Sequence, residues 1–590
     1  MTLPLLITTL VVVLTLVALI REWAAPAIIV TGGMVVLLVA GVITPAEALA
    51  GFSNPAPITV ASLLVIARAV ERTGALRGLL ERSMRPGHSE RRSLVRLLAP
   101  VALASSILNN TPIVAMLIAP VSASAERQGR SPSRFLMPIS FATLLGGTIT
   151  LIGTSTNLVV SGLMEQSGLA PMGMFEMTPV ALPIAVTGIG LLAITAPRLL
   201  PARKGPRERF SSELREFTIE MEVVPGGPVD GQSVSAASLR QLQGVFLAWI
   251  RRGEQLITPV SPDHTLQAGD RLGFVGGVDR VMDLQGERGL RTAAHKHVRG
   301  LDEGEHRFVE VVVAMLSPLV GRTLKSADFR ERYQATVMAL HRSGERIAGK
   351  LGELPIHAGD TLLLLADRGF SARWRDRHDF LLVSELDGTL PVSSSKSWFV
   401  LTITGLMIAA AAFNVVPILQ GSLVVALLTV GARIITAAEA RNAIDLDVLL
   451  LIAASFGIGT AIERSGLAAI VAEWTVGWAI QLGPVAVLAA IVLATIIVTE
   501  LITNNAAVVL IYPIASAAAV QIGVDPRAFG IAVAIAASAS FLTPIGYQTN
   551  AMVYGPGGYR FNDYIRLGLP LTLLVFVGIV SLTAFFWGMS

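Results

Sequence analysis

Long apolar stretches occupy both ends of the chain and predict helices that cross a membrane. About 20 mainly apolar residues span a bilayer core as a helix. Such stretches lie at 3–20, 26–43, 56–70, 136–160, 177–200, 397–415, 420–436, 447–462, 527–550 and 567–588. The pattern predicts two membrane halves with five spans each, separated by a polar central block.

Two further apolar stretches, 97–123 and 484–518, carry polar residues at their midpoints. The first contains "NNT" (Asn109–Thr111) and the second "TNN" (Thr503–Asn505). A carboxamide placed in hydrocarbon costs free energy unless another group hydrogen-bonds to it. We therefore interpret both stretches as re-entrant hairpins whose polar tips are buried in protein.

The composition agrees with a membrane protein that carries a soluble insert. Of the 590 residues 53% are hydrophobic and 15% are charged, and the mean hydropathy is +0.65, whereas soluble domains average about 25% charged residues. All five lysines and every histidine except His88 lie between 204 and 396. The chain has no cysteine, which excludes disulfides, thiolate catalysis and cysteine-based metal sites.

The arginine distribution predicts the topology. Segments 72–96, 126–134 and 198–209 are rich in arginine, whereas 44–57 and 161–179 contain neither lysine nor arginine. The positive-inside rule places the first three in the cytoplasm and the other two outside, so 97–123 must return to the side from which it entered. We expect a prokaryotic inner-membrane protein with a cytoplasmic insert and both termini outside. The basic residues act as topology signals, and no nucleic-acid surface is expected.

The N-terminal segment "MTLPLLITTLVVVLTLVALI" lacks a basic region and a small-residue cleavage site. It therefore predicts a first transmembrane helix and not a cleaved signal peptide.

The two membrane halves repeat each other in sequence at a spacing of about 392 residues. The matched pairs are "ITPAEALAGF" (Ile43–Phe52) with "ITAAEARNAI" (Ile435–Ile444), "AVERTG" (Ala69–Gly74) with "AIERSG" (Ala461–Gly466), and "TLIGTSTN" (Thr150–Asn157) with "TPIGYQTN" (Thr543–Asn550). An odd number of spans per copy inverts the second copy, and inverted repeats with interrupted helices are typical of secondary transporters. The predicted fold is a polytopic α-helical membrane protein of two inverted repeats (1–203 and 396–590) with a central α+β insert (206–292 and 300–392).

Each half supplies a hairpin tip and a glycine-containing break, "GTSTN" (Gly153–Asn157) or "GYQTN" (Gly546–Asn550). An unwound helix leaves free N–H groups that attract an anion and free carbonyls that suit a hard cation such as sodium. Asparagine can bind either ligand. The alternative is that these amides only hold helices together, as polar residues commonly do in membranes.

Glu500 precedes the second tip within an apolar run. An intramembrane carboxylate is a candidate functional group. It could be a sodium ligand, a proton carrier or a structural cap of a helix. None of the predicted spans contains a histidine, which argues against a histidine-based proton relay.

These tips and breaks resemble the divalent anion:sodium symporters and, more broadly, the ion transporter superfamily. The segments that carry the resemblance include "TELITNNAAVVLIYP" (Thr499–Pro513) and "TPIGYQTNAMVYGPGGYRFNDYIRLGLP" (Thr543–Pro570), and it covers both membrane halves. It implies sodium-coupled anion uptake by an elevator motion against a dimeric scaffold. One sodium would bind at Ser105, Asn109, Asn110 and Gly153, and another at Thr503, Asn504 and Gly546, with Glu500 as a further candidate ligand. The candidate anion-binding residues are Asn110, Thr111, Thr154, Ser155, Asn504, Asn505, Gln548 and Thr549.

The sequence departs from that family at both tips and both breaks. The tips read Asn-Asn-Thr and Thr-Asn-Asn instead of Ser-Asn-Thr, and Ser155-Thr156 and Gln548-Thr549 replace the usual Pro-Pro. These departures favour a small oxyanion, with sulfate first, over a dicarboxylate.

The central insert contains a second, shorter repeat. Its apolar runs "GVFLAWI", "FVEVVVAML" and "DTLLLLA" predict strands, "SLRQLQ" and "SADFRERY" predict short helices or turns, and "QAGD" and "HAGD" predict turns before the closing strands. The pattern resembles two TrkA-C (RCK C-terminal) domains, which implies regulation by a small ligand or by dimerisation. No GxGxxG follows a strand, so NAD binding is not expected.

A secondary transporter is the leading interpretation. A cation/proton antiporter is an alternative, since TrkA-C domains often accompany cation transport and Glu500 could carry a proton. A gated channel regulated by its cytosolic domains is another, although no charged ring or filter sequence is visible. An enzyme is not expected, because no nucleophile–base pair or metal cluster occurs in the spans.

Overall fold

The computed structural model describes residues 2–21, 23–74, 83, 89–203, 218–239, 245–253, 255–276, 290–292, 306–314, 317–342, 345–347, 351–374, 377, 379–385, 396–413, 415–544 and 546–589. The helices before the insert are α1 (Leu3–Ile20), α2 (Pro26–Val39), α3 (Pro45–Ser53), α4 (Pro55–Thr73), α5 (Glu90–Ser105), α6 (Asn110–Arg127), α7 (Ser133–Gly147), α8 (Ser155–Gln166) and α9 (Thr178–Leu199). Proline in the first turn starts several of them, because its fixed φ suits that position and its missing N–H costs no helical hydrogen bond there.

The described residues of the insert form short strands, two short α-helices and one 3-10 turn (Leu351–Glu353). Its elements are β1 (Thr218–Val223), β2 (Val245–Arg252), β3 (Gln255–Ile257), β4 (Arg271–Gly276), β5 (Leu290–Thr292), β6 (His306–Val313), α10 (Phe329–Tyr333), β7 (Ala335–Arg342), β8 (Glu345–Arg346), β9 (Thr361–Asp367), α11 (Phe370–Trp374) and β10 (Phe380–Glu385). The predicted strands correspond to β2, β6 and β9, and "SADFRERY" contains α10. Most of "SLRQLQ" lies outside the described residues.

The helices after the insert are α12 (Ser397–Ala412), α13 (Ile418–Gly431), α14 (Ala437–Ala443), α15 (Leu446–Arg464), α16 (Leu467–Ala479), α17 (Pro484–Leu501), α18 (Asn504–Gln521), α19 (Pro526–Ala537), α20 (Gln548–Gly557) and α21 (Phe561–Phe586). Among the described residues, seven helical segments are long and apolar enough to cross a membrane. Two of the seven, Pro484–Leu501 and Asn504–Gln521, form the second predicted hairpin, and the other five correspond to predicted spans. The remaining five predicted spans are short or interrupted, because α2, α12 and α13 have 14, 16 and 14 residues and because helices end on both sides of 148–154 and 538–547.

Many helices recur after the insert in the same order and at nearly the same spacing. The helices α6 and α18 have 18 residues each and start at Asn110 and Asn504. The short helices α3 and α14 both begin with a capping box, formed by Thr44 with Glu47 and by Thr436 with its own glutamate three residues later. In such a box the side chains satisfy the free N–H groups at the helix start.

Helix α16 was not predicted from the sequence. Its apolar run is short and carries the exposed Glu473, so it falls below the length expected of a span. The predicted layout of five spans and a hairpin does not account for this helix in the second half.

Both helical parts contribute to one continuous apolar core. The ring of Phe141 on α7 packs edge-on against Phe541, with centroids 5.1 Å apart, and Ile184 on α9 lies against Gly578 on α21. Edge-to-face aromatic pairs of this kind add to the stabilisation from burial. The residues on either side of the insert are therefore packed as one body.

The insert forms two five-stranded antiparallel sheets with the same topology. The order is β3-β2-β4-β1-β5 in the first sheet and β10-β6-β9-β7-β8 in the second, which is the same order read from the other edge. Arg252 binds buried Asp270 in a bidentate pair at 2.8 and 2.7 Å, and Arg342 binds buried Asp360 at 2.8 Å through both nitrogens. These hydrogen bonds raise the pKa of both guanidinium groups.

The two sheets pack on each other and on the helices. The indole of Trp249 on β2 lies flat on Gly273 and packs among apolar residues of the second sheet. On that sheet, Val312 belongs to the core of the helical part. Thr361 approaches Gly555 on α20 so closely that a Cβ added to Gly555 would lie 1.9 Å from the Thr361 Oγ1. The second sheet therefore touches a helix that begins at one of the predicted breaks.

Candidate functional site

The first polar tip lies in the turn between α5 and α6. The Ser105 hydroxyl donates to Asn110 Oδ1 at 2.5 Å and lies 2.9 Å from the carbonyl oxygen of Thr143. Both Ser105 and Asn110 are fully buried. The turn is thus tied to α7 beside the first break.

The second tip, between α17 and α18, repeats this arrangement. The Thr499 hydroxyl donates to the carbonyl of Ala537 at 2.6 Å and lies 3.2 Å from Asn504 Oδ1. Ser105 and Thr499 are therefore structural counterparts, as are Asn110 and Asn504. Sequence reasoning missed Thr499, because its role depends on the carbonyl at the end of α19.

Each break is fixed by an asparagine that follows it. Asn157 Nδ2 donates to the carbonyls of Gly147 and Thr150 at 3.0 and 2.9 Å. Asn550 Nδ2 donates to the carbonyls of Ser540 and Thr543 at 2.9 and 3.2 Å. The final asparagine of each "TSTN" and "YQTN" sequence thus holds the unwound backbone in place. The recurrence of this asparagine at the end of both breaks was the signal in the sequence that pointed to this role.

Glycines keep the first break narrow. A Cβ on Gly153 would lie 2.5 Å from the carbonyl oxygen of Gly147, and one on Gly147 would lie 2.8 Å from Asn110 Oδ1. Real Cβ atoms do not approach other atoms this closely, so a side chain at Gly153 would clash with backbone, and one at Gly147 would displace the Asn110 amide. The predicted cation ligands Ser105, Asn110 and Gly153 are brought together through Gly147.

Glu500 lies beside the second break. Its Oε1 accepts the backbone N–H of Leu542 at 2.8 Å, and its Oε2 accepts the hydroxyl of Thr543 at 2.9 Å. Thr543 in turn accepts the backbone N–H of Gly546 at 3.0 Å. Ser106 holds the equivalent place after Ser105, so the carboxylate is present in one half and absent from the other.

The tip of each half meets the break of the other. Thr111 Oγ1 donates to Gln548 Oε1 at 3.3 Å, and Asn505 Nδ2 donates to Ser155 Oγ at 3.2 Å. Thr156 also donates to Asn505 Oδ1 at 3.2 Å. These residues belong to the first turns of α6, α20, α18 and α8, so the N-terminal ends of four helices converge. The convergence places their free N–H groups around one region.

Tyr547, which sequence reasoning missed, adds a further link at the same place. Its hydroxyl accepts Asn110 Nδ2 at 2.7 Å and lies 3.3 Å from Thr154 Oγ1. Its position inside "GYQTN" was visible in the sequence, but its reach into the other half was not.

Three of the predicted site residues have different surroundings. Asn109 and Thr503 precede α6 and α18 without a side-chain capping bond, and the Thr503 side chain is exposed. Thr549 is fully buried and accepts a hydrogen bond from Ser140 Oγ at 2.8 Å. Its hydroxyl therefore faces α7 and does not join the contacts between tips and breaks.

Two buried side-chain atoms at these tips and breaks have no hydrogen-bond partner in the described part of the chain. They are Asn157 Oδ1 and Asn504 Nδ2. A buried polar atom without a partner is costly, so these atoms are available to a ligand. Within the described ranges, no group of three or more His, Asp or Glu side chains could hold a metal ion.

Comparison with known proteins identifies the family. The model of the family described as "CitMHS: Citrate transporter" matches residues 16–534. The chain belongs to this citrate transporter family. Together with the apolar helices, the match makes it a multi-pass membrane transporter, which confirms the predicted class and the broad resemblance to anion transporters.

Two named relatives align with this citrate transporter family member over almost its whole length. It is 34% identical to the uncharacterized transporter sll0640 of Synechocystis sp., over 99% of this chain and 97% of that protein. It is 35% identical to a putative sulfur deprivation response regulator of Chlamydomonas reinhardtii, over 91% and 94%.

One more distant relative and one solved structure also align with most of the chain. The chain is 24% identical to the probable sodium/sulfate cotransporter 3 of Chlamydomonas reinhardtii, over 91% of this chain and 83% of that protein. Among solved structures, it is similar to the YdaH transporter of Alcanivorax borkumensis at 13% identity and a TM-score of 0.45, over 100% and 98% of the two chains.

Proposed function

We propose that the protein is a secondary transporter that takes up a small divalent oxyanion, with sulfate as the favoured substrate, together with sodium. The observation that carries this proposal is the convergence of the N-terminal ends of α6, α8, α18 and α20. Partial positive charge at a helix N-terminus, together with free N–H groups, binds anions.

The side chains in this region suit an anion that accepts hydrogen bonds. The proposed anion ligands are hydroxyls and amides at the two tips and breaks: Asn110, Thr111, Thr154, Ser155, Asn504, Asn505 and Gln548. Neutral donors of this kind bind a transported anion weakly enough for it to be released on the other side. Thr549 is left out of this set, because its hydroxyl is bonded to Ser140.

Two sodium positions flank the proposed anion site. The first would use Ser105, Asn110 and the backbone at Gly153, and the unpartnered Asn157 Oδ1 is close to the same break. The second would use Asn504, Glu500 and Gly546. Three oxygens lie around the Cβ position of Gly546, namely Ser540 Oγ at 2.0 Å, Thr543 Oγ1 at 3.0 Å and Glu500 Oε2 at 3.1 Å. Oxygen atoms are the ligands that hard cations prefer.

Named relatives support the same substrate pair. The probable cotransporter of Chlamydomonas is named for sodium and sulfate, and a second relative is named for sulfur deprivation. The family description names citrate, so citrate belongs in the first substrate screen beside sulfate.

Uptake of radiolabelled sulfate into proteoliposomes, with and without an inward sodium gradient, tests the proposal. We expect accumulation only when the gradient is present. Sulfate uptake that does not depend on the sodium gradient would reject sodium coupling. Citrate accumulation without sulfate accumulation would reject sulfate as the substrate. Potassium movement without either anion would favour the channel alternative.

Proton coupling is a second candidate, favoured by one observation. Glu500 is a buried carboxylate, and its hydrogen-bond partners among the described residues include no arginine, lysine or histidine. Sulfate uptake that follows an inward proton gradient in sodium-free buffer would support this candidate over sodium coupling.

We further propose that the two helical parts are inverted repeats with re-entrant hairpins α5–α6 and α17–α18. The matched hydrogen bonds of Ser105 and Thr499 support a repeat, and the polar turns support hairpins with buried tips. The elevator motion and the homodimer are part of the same proposal and follow from the family resemblance. Light scattering of the purified protein would test the dimer.

The proposed topology can be tested with single cysteines, because the chain has none. Thr2→Cys and Lys325→Cys place a thiol at exposed positions at the N-terminus and in the insert. A membrane-impermeant maleimide applied to intact cells should label Thr2→Cys alone. Labelling of Lys325→Cys would contradict the cytoplasmic insert.

The insert is proposed to regulate transport or to mediate dimerisation, as its resemblance to TrkA-C domains implies. Two sheets of identical topology, each with an arginine paired to a buried aspartate, support a tandem domain of this kind. Contact between Thr361 and Gly555 supports communication with the transport helices. A small regulatory ligand is part of the proposal, and NAD is not expected.

A further inference from the structure

The two breaks have the same backbone but very different side chains at one position. Thr154 precedes α8 with φ −145° and ψ 149°, and Tyr547 precedes α20 with φ −143° and ψ 141°. The repeat therefore places Tyr547 where the first half has a threonine. A phenol ring is several ångströms longer than a threonine side chain, so the two halves cannot offer the same space.

The longer side chain of Tyr547 accepts a hydrogen bond from a donor at the tip of the first half. Its hydroxyl accepts the amide N–H of Asn110 at 2.7 Å and lies 3.3 Å from Thr154 Oγ1. The phenol thus lies between two of the proposed anion ligands. A ligand can reach the Asn110 N–H only if Tyr547 moves away or gives up this bond.

Asn504 is the counterpart of Asn110, and its amide differs from that of Asn110 in its hydrogen bonding. Asn504 is held by Thr499 through the same oxygen as Asn110 is held by Ser105, so its Nδ2 points to the equivalent place, where Thr154 is too short to reach it. Asn504 is 7% exposed, and its Nδ2 has no hydrogen-bond partner among the residues that the structure describes. The Asn110 amide is therefore occupied, whereas its counterpart at Asn504 is not.

We propose that Tyr547 is a specificity-determining residue that makes the anion site one-sided, so that it accepts a compact tetrahedral oxyanion and rejects an extended dicarboxylate. This inference rests on the proposed function. A dicarboxylate has two separate charged ends, and a symmetric site would give each end the donors of one tip. With the Asn110 N–H occupied and the ring filling that side, the donors that remain are the Asn504 amide and the free backbone N–H groups at the start of α18. A compact oxyanion needs one such set of donors.

Specificity depends on the difference between two affinities, and steric exclusion of the wrong ligand is an effective way to obtain it. The Tyr547 ring supplies exclusion, and its hydroxyl supplies a polar surface toward the ligand. The ring and the hydroxyl can be tested separately. Tyr547→Phe keeps the ring, whereas Tyr547→Thr restores the residue that the first half carries.

The experiment measures inhibition of radiolabelled sulfate uptake by unlabelled succinate in proteoliposomes. We expect succinate to compete poorly with the wild type and with Tyr547→Phe. In Tyr547→Thr, the ratio of the succinate to the sulfate half-inhibitory concentration should fall by about tenfold or more, which is the size expected from removing one steric exclusion. An unchanged ratio in Tyr547→Thr would overturn the proposal, as would a fall of the same size in Tyr547→Phe.

A binding measurement keeps the test decisive if Tyr547→Thr transports poorly. The melting temperature of each purified variant is recorded with sulfate or succinate added. A stabilisation by succinate that appears only in Tyr547→Thr supports the role of Tyr547, and stabilisation by neither anion in a folded variant contradicts it. Absence of sulfate uptake and of stabilisation by sulfate in the wild type would reject the proposed function itself. Normal sulfate uptake with an unaltered preference would reject only the role of Tyr547.

Discussion

Ser105 and Thr499 make the same pair of contacts in the two halves of the protein. Each hydroxyl lies within hydrogen-bond distance of the amide oxygen of the asparagine five residues later and of the carbonyl oxygen 38 residues later. The shared geometry fixes both asparagine side chains in one orientation, with the nitrogen directed away from the turn. The two asparagines thus share a position and an orientation, and they differ in that Tyr547 accepts the amide N–H of Asn110.

The first prediction concerns the amides at the tips. Asn110→Ala removes the bond to Tyr547, and Asn505→Ala removes the bonds to Ser155 and Thr156. Each variant should lower sulfate uptake at least about tenfold, because Asn505→Ala removes a proposed anion ligand and Asn110→Ala removes an amide oxygen of the first proposed sodium position. A tenfold loss corresponds to about 1.4 kcal/mol, slightly less than a hydrogen bond to a charged group is worth. Uptake per molecule of reconstituted protein is the measurement.

The exposed Asn442 on α14 provides the matched control. Asn442→Ala should keep both uptake and the melting temperature. If Asn110→Ala or Asn505→Ala fails to fold, the amides hold helices together and the interpretation as ligands loses its support.

The second prediction concerns the charge beside the second tip. Glu500→Gln preserves the side-chain shape and allows an amide to face Thr543, but it removes the negative charge. We expect the half-saturating sodium concentration to rise about tenfold, the effect of about 1.4 kcal/mol of lost cation binding. Sodium dependence of sulfate uptake is the measurement, and Glu473→Gln on the exposed face of α16 is the control.

Other outcomes for Glu500→Gln assign different roles to the residue. Unchanged sodium dependence with a loss of pH dependence would identify Glu500 as a proton carrier. Unchanged dependence on both ions, with a lower melting temperature, would identify it as a structural cap of the break.

Apolar patterning predicted most of the helices, because hydrocarbon selects long apolar segments whatever they pack against. The turn at Asn110 and the turn at Asn504 were also visible, since amides stand out in apolar runs. Helix α16 was not, because its length and its exposed Glu473 resemble those of a surface segment.

Side-chain direction within the breaks could not be predicted from the sequence. "STN" and "QTN" look alike, yet Thr156 reaches Asn505 and Thr549 turns to Ser140. Tyr547 reaches Asn110 only because the two halves are packed together. Such contacts join residues several hundred positions apart, and no local pattern encodes them.

The third prediction concerns the Arg–Asp ion pair of the second sheet in the insert. Asp360 is fully buried, whereas the side chain of its partner Arg342 is 33% exposed. Asp360→Ala leaves the Arg342 cation without its partner and should destabilise the second sheet by about 2 kcal/mol, below the 3–5 kcal/mol typical of fully buried pairs. Thermal unfolding followed by tryptophan fluorescence measures this loss of stability. The control Asp263→Ala, at an exposed position, should leave the unfolding transition unchanged. Equal melting temperatures for both variants would contradict the prediction.

The last prediction concerns the contact between the insert and the transport helices. Gly555→Ala on α20 places a methyl group 1.9 Å from the Thr361 Oγ1, so the side chain or the whole sheet must move. Because Thr361 is buried on a central strand, we expect the second sheet to separate from α20 and the rate of sulfate uptake to change at least about twofold, the effect of about 0.4 kcal/mol on a barrier. Gly405→Ala, where nothing lies within 4 Å, is the control. The double variant Gly555→Ala/Thr361→Ala removes the clashing oxygen and should restore the wild-type rate, and a double variant as impaired as Gly555→Ala would show that the effect arises within α20 itself.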